Sequence, residues 1–138
     1  MTKKRITLVI LILGIIGAFV AYKMYNKPHV DVADSKSDIV ISADKIQSDF
    51  STNENLANSN YLEKIIEVSG EISELTLENK KGIITLKTND DFGSVLCHLS
   101  DNSTQKMNTL KVGKSVRLKG ICTGYLMDVI LVKCEIIN

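Results

Sequence analysis

The sequence predicts a mainly β fold. It comprises a small closed barrel of five strands, an α-helix ahead of it, a short helix between strands three and four, and an N-terminal transmembrane helix. Three observations lead there. Ile6 to Tyr22 is a stretch of 17 residues without a charge. From Lys64 onward apolar and polar residues alternate with the period of a strand. One pattern occurs twice, Val68-Ser69-Gly70-Glu71-Ile72 and Val116-Arg117-Leu118-Lys119-Gly120. Each is an alternating strand with a glycine, the residue that lets a strongly coiled barrel bend.

The first segment comes first in the chain and sets the compartment. As a helix, Ile6 to Tyr22 spans about 26 Å, close to the roughly 30 Å of a hydrocarbon core. Lys3, Lys4 and Arg5 precede it, so the positive-inside bias keeps the tip in the cytoplasm and exports the rest. A cleaved signal peptide needs small residues before the cut, but Ala18 to Ala21 is followed by bulky Tyr22, Met24 and Tyr25. A lipoprotein needs a cysteine just behind the apolar core, and the first cysteine is Cys97. The reading is an uncleaved signal anchor. It divides the chain into a basic tip (1–5), a span (6–25), a linker (26–41) and a domain (42–138), with the lipid bilayer as partner of Ile6 to Tyr22.

Charge separates the same parts. Lys3, Lys4, Arg5, Lys23 and Lys27 precede any acid, so the other 12 Lys and Arg face all 16 Asp and Glu, a net −4. An acidic body is a poor start for binding nucleic acid, where affinity comes largely from released counterions.

Asn26 to Ile41, with Pro28 and three aspartates, reads as a tether ending in an extended stretch, Ile39-Val40-Ile41. A helix is predicted from Ser42 to Asn58. Ser42 is its N-cap, Asp44 lies in the first turn where the helix dipole favours acid, and Ala43, Ile46, Phe50 and Ala57 form one apolar stripe. Asn53, Asn55, Asn58 and Asn60 weaken its end, so it is expected to fray before Tyr61.

Strand one follows from Lys64, with Ile66, Val68 and Ile72 inward. Leu75 and Leu77 take over the inward parity past Gly70, which implies a bulge. Asn79 to Gly82 is a turn, Ile83 to Lys87 the return strand, and Thr88 to Asp91 a loop. Ser94 to Leu99 alternates with Val95, Cys97 and Leu99 inward. Asp101 to Asn108 is a short helix capped by Asp101 or Ser103, with Met107 as its apolar contact. Val116, Leu118, Gly120 and Cys122 form strand four. A loop from Gly124 to Asp128 precedes the last strand, Val129 to Ile137. Strand, strand, strand, helix, strand, strand is the order of the oligonucleotide/oligosaccharide-binding (OB) barrel.

Several segments also resemble a known family. They are Asp44 to Phe50, Tyr61 to Gly70, Leu110 to Val116, and Lys119 to Gly124 with Leu131 and Cys134. Together they are similar to the tRNA_anti-like family, small bacterial OB-fold envelope proteins that include many lipoprotein candidates. The likeness covers roughly Ile41 to Ile136. Glu63 departs from it, standing where a small turn residue, often glycine, is expected, and so does the missing lipobox cysteine. The family name reflects likeness to the anticodon-binding OB domain of aminoacyl-tRNA synthetases. It implies a fold, not a ligand.

Few residues suggest chemistry. Cys97, Cys122 and Cys134 would lie where disulfides are permitted. Cys122 and Cys134 flank the final hairpin and are the favoured pair, with three small apolar core residues as the alternative. No CxxC exists, and His29 and His98 are remote in sequence, so no metal site is expected. GxSxG, P-loop and HExxH motifs are absent from the sequence, which reads as a non-enzyme without a cofactor.

Ligands of this fold usually meet strands two and three and the loops 1–2 and 4–5. Those positions offer Lys80, Lys81, Lys87, His98, Tyr125, Leu126 and Met127. Tyr125-Leu126-Met127 is unusually apolar for a loop tip and either docks a partner or folds over the barrel end. The basic run Lys106, Lys111, Lys114, Arg117 and Lys119 reads as a solvated edge. Aromatic platforms for bases are scarce, Tyr125 being the expected exposed ring. The expected function is a non-catalytic binding module for an envelope protein or glycan, on the outer side of the cytoplasmic membrane. The alternative is a single-stranded nucleic-acid binder.

Overall fold

In a computed structural model, described for residues 2–26 and 31–137, the chain forms two compact units, Met1–Val30 and Asp31–Asn138. Lys27, Pro28, His29 and Val30 of the expected tether lie outside the described residues. The first unit is one helix, α1 (Lys3–Tyr25), with an 18-residue window of mean hydropathy 2.3. It is long and apolar enough to cross a membrane and extends the expected Ile6–Tyr22 span by a turn at each end.

The second unit begins with a strap. Asp31 accepts a hydrogen bond from the Ala33 amide, and Val32 is buried. The Lys119 ammonium donates to the carbonyls of Ala33 (3.1 Å) and Ser35 (2.7 Å). Lys119 therefore departs from the expected solvated edge; it fastens the entering chain. Arg117 faces Glu67 at 3.3 Å. The extended stretch that follows is β1 (Ile39–Ser42), paired parallel to the next strand.

Ser42 accepts from the Lys45 amide and caps α2 (Ala43–Thr52) as expected. The helix does not run on to Asn58. Asn53 is extended, ends α2, and with its own side chain caps a second helix, α3 (Glu54–Tyr61), by accepting from the Leu56 amide. The asparagines that were expected to fray one helix instead start another, because an Asn side chain satisfies a free helical N–H. Tyr61 ends α3 buried instead of lying beyond a frayed end.

Glu63 then turns the chain with φ 63°, and its amide donates to the Cys122 carbonyl at 2.8 Å. That left-handed conformation explains why glycine is the expected residue there. Glu63→Gly is expected to raise stability by about 0.5–1 kcal/mol, the relieved left-handed strain exceeding glycine's extra chain entropy. A thermal melt of the full chain in detergent checks this, and an unchanged or lower midpoint overturns it.

The barrel consists of β2 (Ile65–Glu78), β3 (Lys81–Leu86), β4 (Val95–Leu99), β5 (Ser115–Leu126) and β6 (Asp128–Ile136). β2, β3 and β4 form an antiparallel meander, β6 lies parallel to β4 and antiparallel to β5, and β5 closes on the first half of β2. This is a closed mixed OB barrel, as predicted. β2 serves β5 and β1 up to Glu71 and β3 from Ile72, with a bulge between Ile72 and Glu74. Leu75 is half-buried, but Leu77 is 61% exposed, against expectation. Past the bulge the strand runs beyond the barrel end, so parity alone does not bury it.

Gly120 lies at a register shift between β5 and β6, as the expected bend requires, and both repeated glycines also make room for a neighbour. A Cβ on Gly70 would meet the Ala43 Cβ at 3.0 Å, so this glycine lets α2 lie close on the barrel. A Cβ on Gly120 would stand 2.4 Å from the Cys134 Sγ. Between β4 and β5, α4 (Asp101–Lys106) is capped by Ser100, which accepts from the Ser103 amide; neither expected cap holds that role. Met107 opens a 3-10 turn and packs on the core as expected.

Candidate binding surface

The tip of the β5–β6 hairpin is tighter than a five-residue loop. Leu126 pairs with Asp128, leaving Met127 alone at the turn with φ 65°. Further contacts hold it. Tyr125 stacks on Phe50 (centroids 5.3 Å, 17° between planes), and Phe50 meets Tyr61 at 5.7 Å. Gln47 of α2, fully buried, donates from Nε2 to the Met127 carbonyl at 2.9 Å. The Asp128 carboxylate accepts from both the amide and hydroxyl of Ser94 at 2.8 Å. The Val129 amide donates to the Ser94 carbonyl.

The β3–β4 loop converges on the same amide. A Cβ on Gly93 would fall within 1.8 Å of the Gln47 Nε2, so only a glycine fits beneath it. Thr88 donates to the Gly93 carbonyl, and Asp90 accepts from the Phe92 amide at 3.0 Å. Two loop tips are thus locked to α2 through one side chain. The other end of that amide, Oε1, is buried without a hydrogen-bond partner.

The predicted residues divide among four places. Tyr125 folds down, half-buried on Phe50, while Leu126 (78% exposed) and Met127 (65%) point out. Lys80 and Lys81 lie at the β2–β3 turn, where Asn79 and Lys80 both have positive φ as a two-residue hairpin requires. β3 separates that turn from the tip, since Lys81 starts it and Lys87 follows its end, about 20 Å along the strand. Lys87 is exposed and lines a cleft with Asp44, Ser69, Glu71 and Asn89. His98 sits mid-face, opposite Ile83.

That outward face is aliphatic. Thr85 pairs with Leu96 and Leu96 with Ile130, so Ile83, Leu96, Ile130 and His98 form a half-buried belt across β3, β4 and β6. The exposed ring of the domain is not Tyr125 but Phe92, at 84%. Its neighbours Asp90 and Asp91 gave it no sequence pattern that pointed to a surface.

Below the tip lies a polar anchor. Tyr61 donates to Asp49 at 2.5 Å, and Lys45 pairs with the same carboxylate at 2.6 Å. Burial works against the Asp49 charge, but these two donors hold its pKa below the ordinary value. Burial and the Asp49 carboxylate push the Tyr61 phenol up to about 12. Tyr61→Phe is expected to lower stability by about 1–2 kcal/mol near neutral pH. A depressed carboxylate stabilises the fold above its unfolded pKa and loses that contribution as pH falls through the folded one. The deficit of Tyr61→Phe should therefore shrink between about pH 5 and pH 3. Melts of both proteins at the two pH values check this, and a deficit constant with pH rules it out.

The three cysteines are free, buried thiols. The expected Cys122–Cys134 bridge is not formed here, and the thiol that faces Cys134 is Cys97. Burial pushes the Cys122 thiol up to about 11 and Cys134 well above its ordinary value. Among the described residues no three His, Cys, Asp or Glu side chains gather where they would hold a metal ion.

With this geometry in view, the sequence matches the family described as tRNA_anti-like over residues 1–136. The chain belongs to that family. Among solved structures, this tRNA_anti-like chain is similar to a Klebsiella pneumoniae subsp. pneumoniae protein described as a "putative nucleic acid-binding lipoprotein". The two are 17% identical with a TM-score of 0.61, over 81% of this chain and 100% of that one, a likeness of fold. Asparaginyl-tRNA synthetase from Pyrococcus horikoshii is 20% identical with a TM-score of 0.43, over 57% of this chain and 20% of the synthetase. An OBody bound to hen egg-white lysozyme is 15% identical with a TM-score of 0.45, over 57% of this chain and 86% of that one. No curated protein matches the sequence.

Proposed function

We propose that this tRNA_anti-like protein is a non-catalytic binding module, held by an uncleaved signal anchor on the outer side of the cytoplasmic membrane. Its ligand is a protein or glycan of the envelope, met by the hairpin tip and the outward face of β3 and β4. The observation that carries the reading is the exposed pair Leu126 and Met127 on a turn held by Gln47, Asp128 and the Phe50–Tyr125 stack. A solvated loop has no need of apolar side chains fixed outward, whereas a preformed tip binds without an ordering cost. Lys3, Lys4 and Arg5 in the first turn of α1 support the orientation.

Binding of single-stranded nucleic acid is the second reading, favoured by the Klebsiella protein's description and the exposed Phe92 ring. The aliphatic belt offers no aromatic face for stacking, and the −4 balance after Pro28 opposes phosphate.

One set of measurements separates them. Photocrosslinkers at Leu126, Met127 and His98 of the full chain in native membranes are expected to capture the same envelope protein or glycan. A C-terminal reporter is expected to be active only outside the cytoplasm. Adducts removed by nuclease, or a reporter active only in the cytosol, overturn the proposal.

A further inference from the structure

The exposed apolar side chains at this end of the barrel are not confined to one loop. Gly93 packs under the Gln47 amide, and that amide holds the Met127 carbonyl at 2.9 Å, so Phe92 and the hairpin tip belong to one rigid end. Phe92, Leu126 and Met127 are its three large exposed hydrophobic residues.

Acid surrounds them. Asp90 is fixed beside Phe92 by accepting its amide hydrogen at 3.0 Å, and Asp91 follows, exposed. Glu54 lines a groove together with Leu126, Leu62 and Ile130. Of the nearby cations, Lys45 is taken up by Asp49, and Lys87 lines a cleft with the acids Asp44 and Glu71. The result is an apolar centre within a negative rim.

Resting on the binding-module reading, we infer that this end docks a protein surface of opposite character, an apolar seat ringed by lysine and arginine. The rim selects among occupants. Anionic lipid headgroups would meet Asp90 and Asp91 with like charge, and a second copy of this acidic unit would do the same. A cationic protein rim is drawn in by the field, while the three side chains supply the desolvated centre.

The test uses the full chain in native membranes, with a photocrosslinking residue at Phe92, Leu126, Met127, His98 or, as an exposed control, Val40. Strong protein adducts are expected at the first three positions and none at Val40, and peptide mapping should place those of the tip in segments where apolar residues lie among Lys and Arg. Asp90→Lys with Asp91→Lys should cut the yield by about fivefold or more, and raised salt should lower the parent's yield toward the variant's. Asp90→Lys also removes the acceptor of the Phe92 amide, so Asp90→Asn with Asp91→Lys, which keeps an oxygen there, is the second variant. It should lower the yield in the same direction, and an unchanged melt verifies folding. Adducts confined to lipid, to a second copy, or to neutral or acidic segments overturn the inference, as does a yield indifferent to the reversal. If His98 captures an envelope protein while the three tip positions match Val40, this inference falls and the binding module stands. If every position is silent or the adducts are nuclease-sensitive, both fall.

Discussion

Replacing Phe50 with alanine is expected to destabilise the domain by about 3–5 kcal/mol, the largest effect of any single change considered for this fold. Phe50 is 1% exposed and lies between two tyrosines, at 5.7 Å from Tyr61 and 5.3 Å from Tyr125. Its removal deletes most of a ring's transfer free energy and leaves a cavity that a helix fixed at both ends cannot close. Ser42 holds one end of α2 through its cap, and Asn53 holds the other. The loss also removes the support under Tyr125, so the hairpin tip should move more freely before the barrel unfolds. Thermal or urea unfolding of the full chain in detergent measures the first effect, and fluorescence anisotropy of a dye on Met127→Cys the second. A loss under about 1 kcal/mol would mean that the ring is not the keystone between helix and hairpin.

Gly120→Ala is expected to cost about 2–3 kcal/mol, for a different reason. The added methyl would lie 2.4 Å from the Cys134 Sγ and 3.1 Å from the Val132 carbonyl oxygen. Neither is the free end of a long side chain. Cys134 is fully buried on β6, and Val132 belongs to the ladder that pairs with β5. Removing the sulfur with Cys134→Ala should relieve the collision. Each single variant is destabilised, but the double variant should lose at least about 1 kcal/mol less than the two losses combined. Additivity within about 0.5 kcal/mol would show that the sulfur does not set the cost.

Features that depend on local pattern were legible in the sequence. Strand parity placed Ile66, Val68, Val95, Cys97, Leu118 and Cys122 inside, and all are buried. Ser42 announced a helix start because a hydroxyl before an acidic first turn satisfies free amides wherever it occurs. Features decided by distant neighbours were not. That Gly70 and Gly120 make room for Ala43 and Cys134 depends on which chain crosses above them, which no spacing encodes. Leu77 follows the inward parity, yet the barrel ends before it. At the candidate site, Leu126 and Met127 stood out because apolar residues are rare at a turn. Tyr125 looked equivalent, and only the position of Phe50 separates it from them. Phe92 carried no signal, since a lone ring after two aspartates reads like any loop until its exposure is known. Lys80 and Lys81 seemed to join the same surface, but the length of β3 puts them at its far end.

The Lys119 contacts and the β1 pairing have a mechanical consequence. Tension entering at Asp31 first pulls on an ammonium gripping two carbonyls, then on Ile39–Ser42 lying alongside Ile66–Ser69 in the same direction. A load along that axis must shear the short ladder as a unit instead of unzipping it bond by bond. Traction along that axis on the N-terminal side therefore meets the Lys119 grip and the β1 ladder before the rest of the barrel.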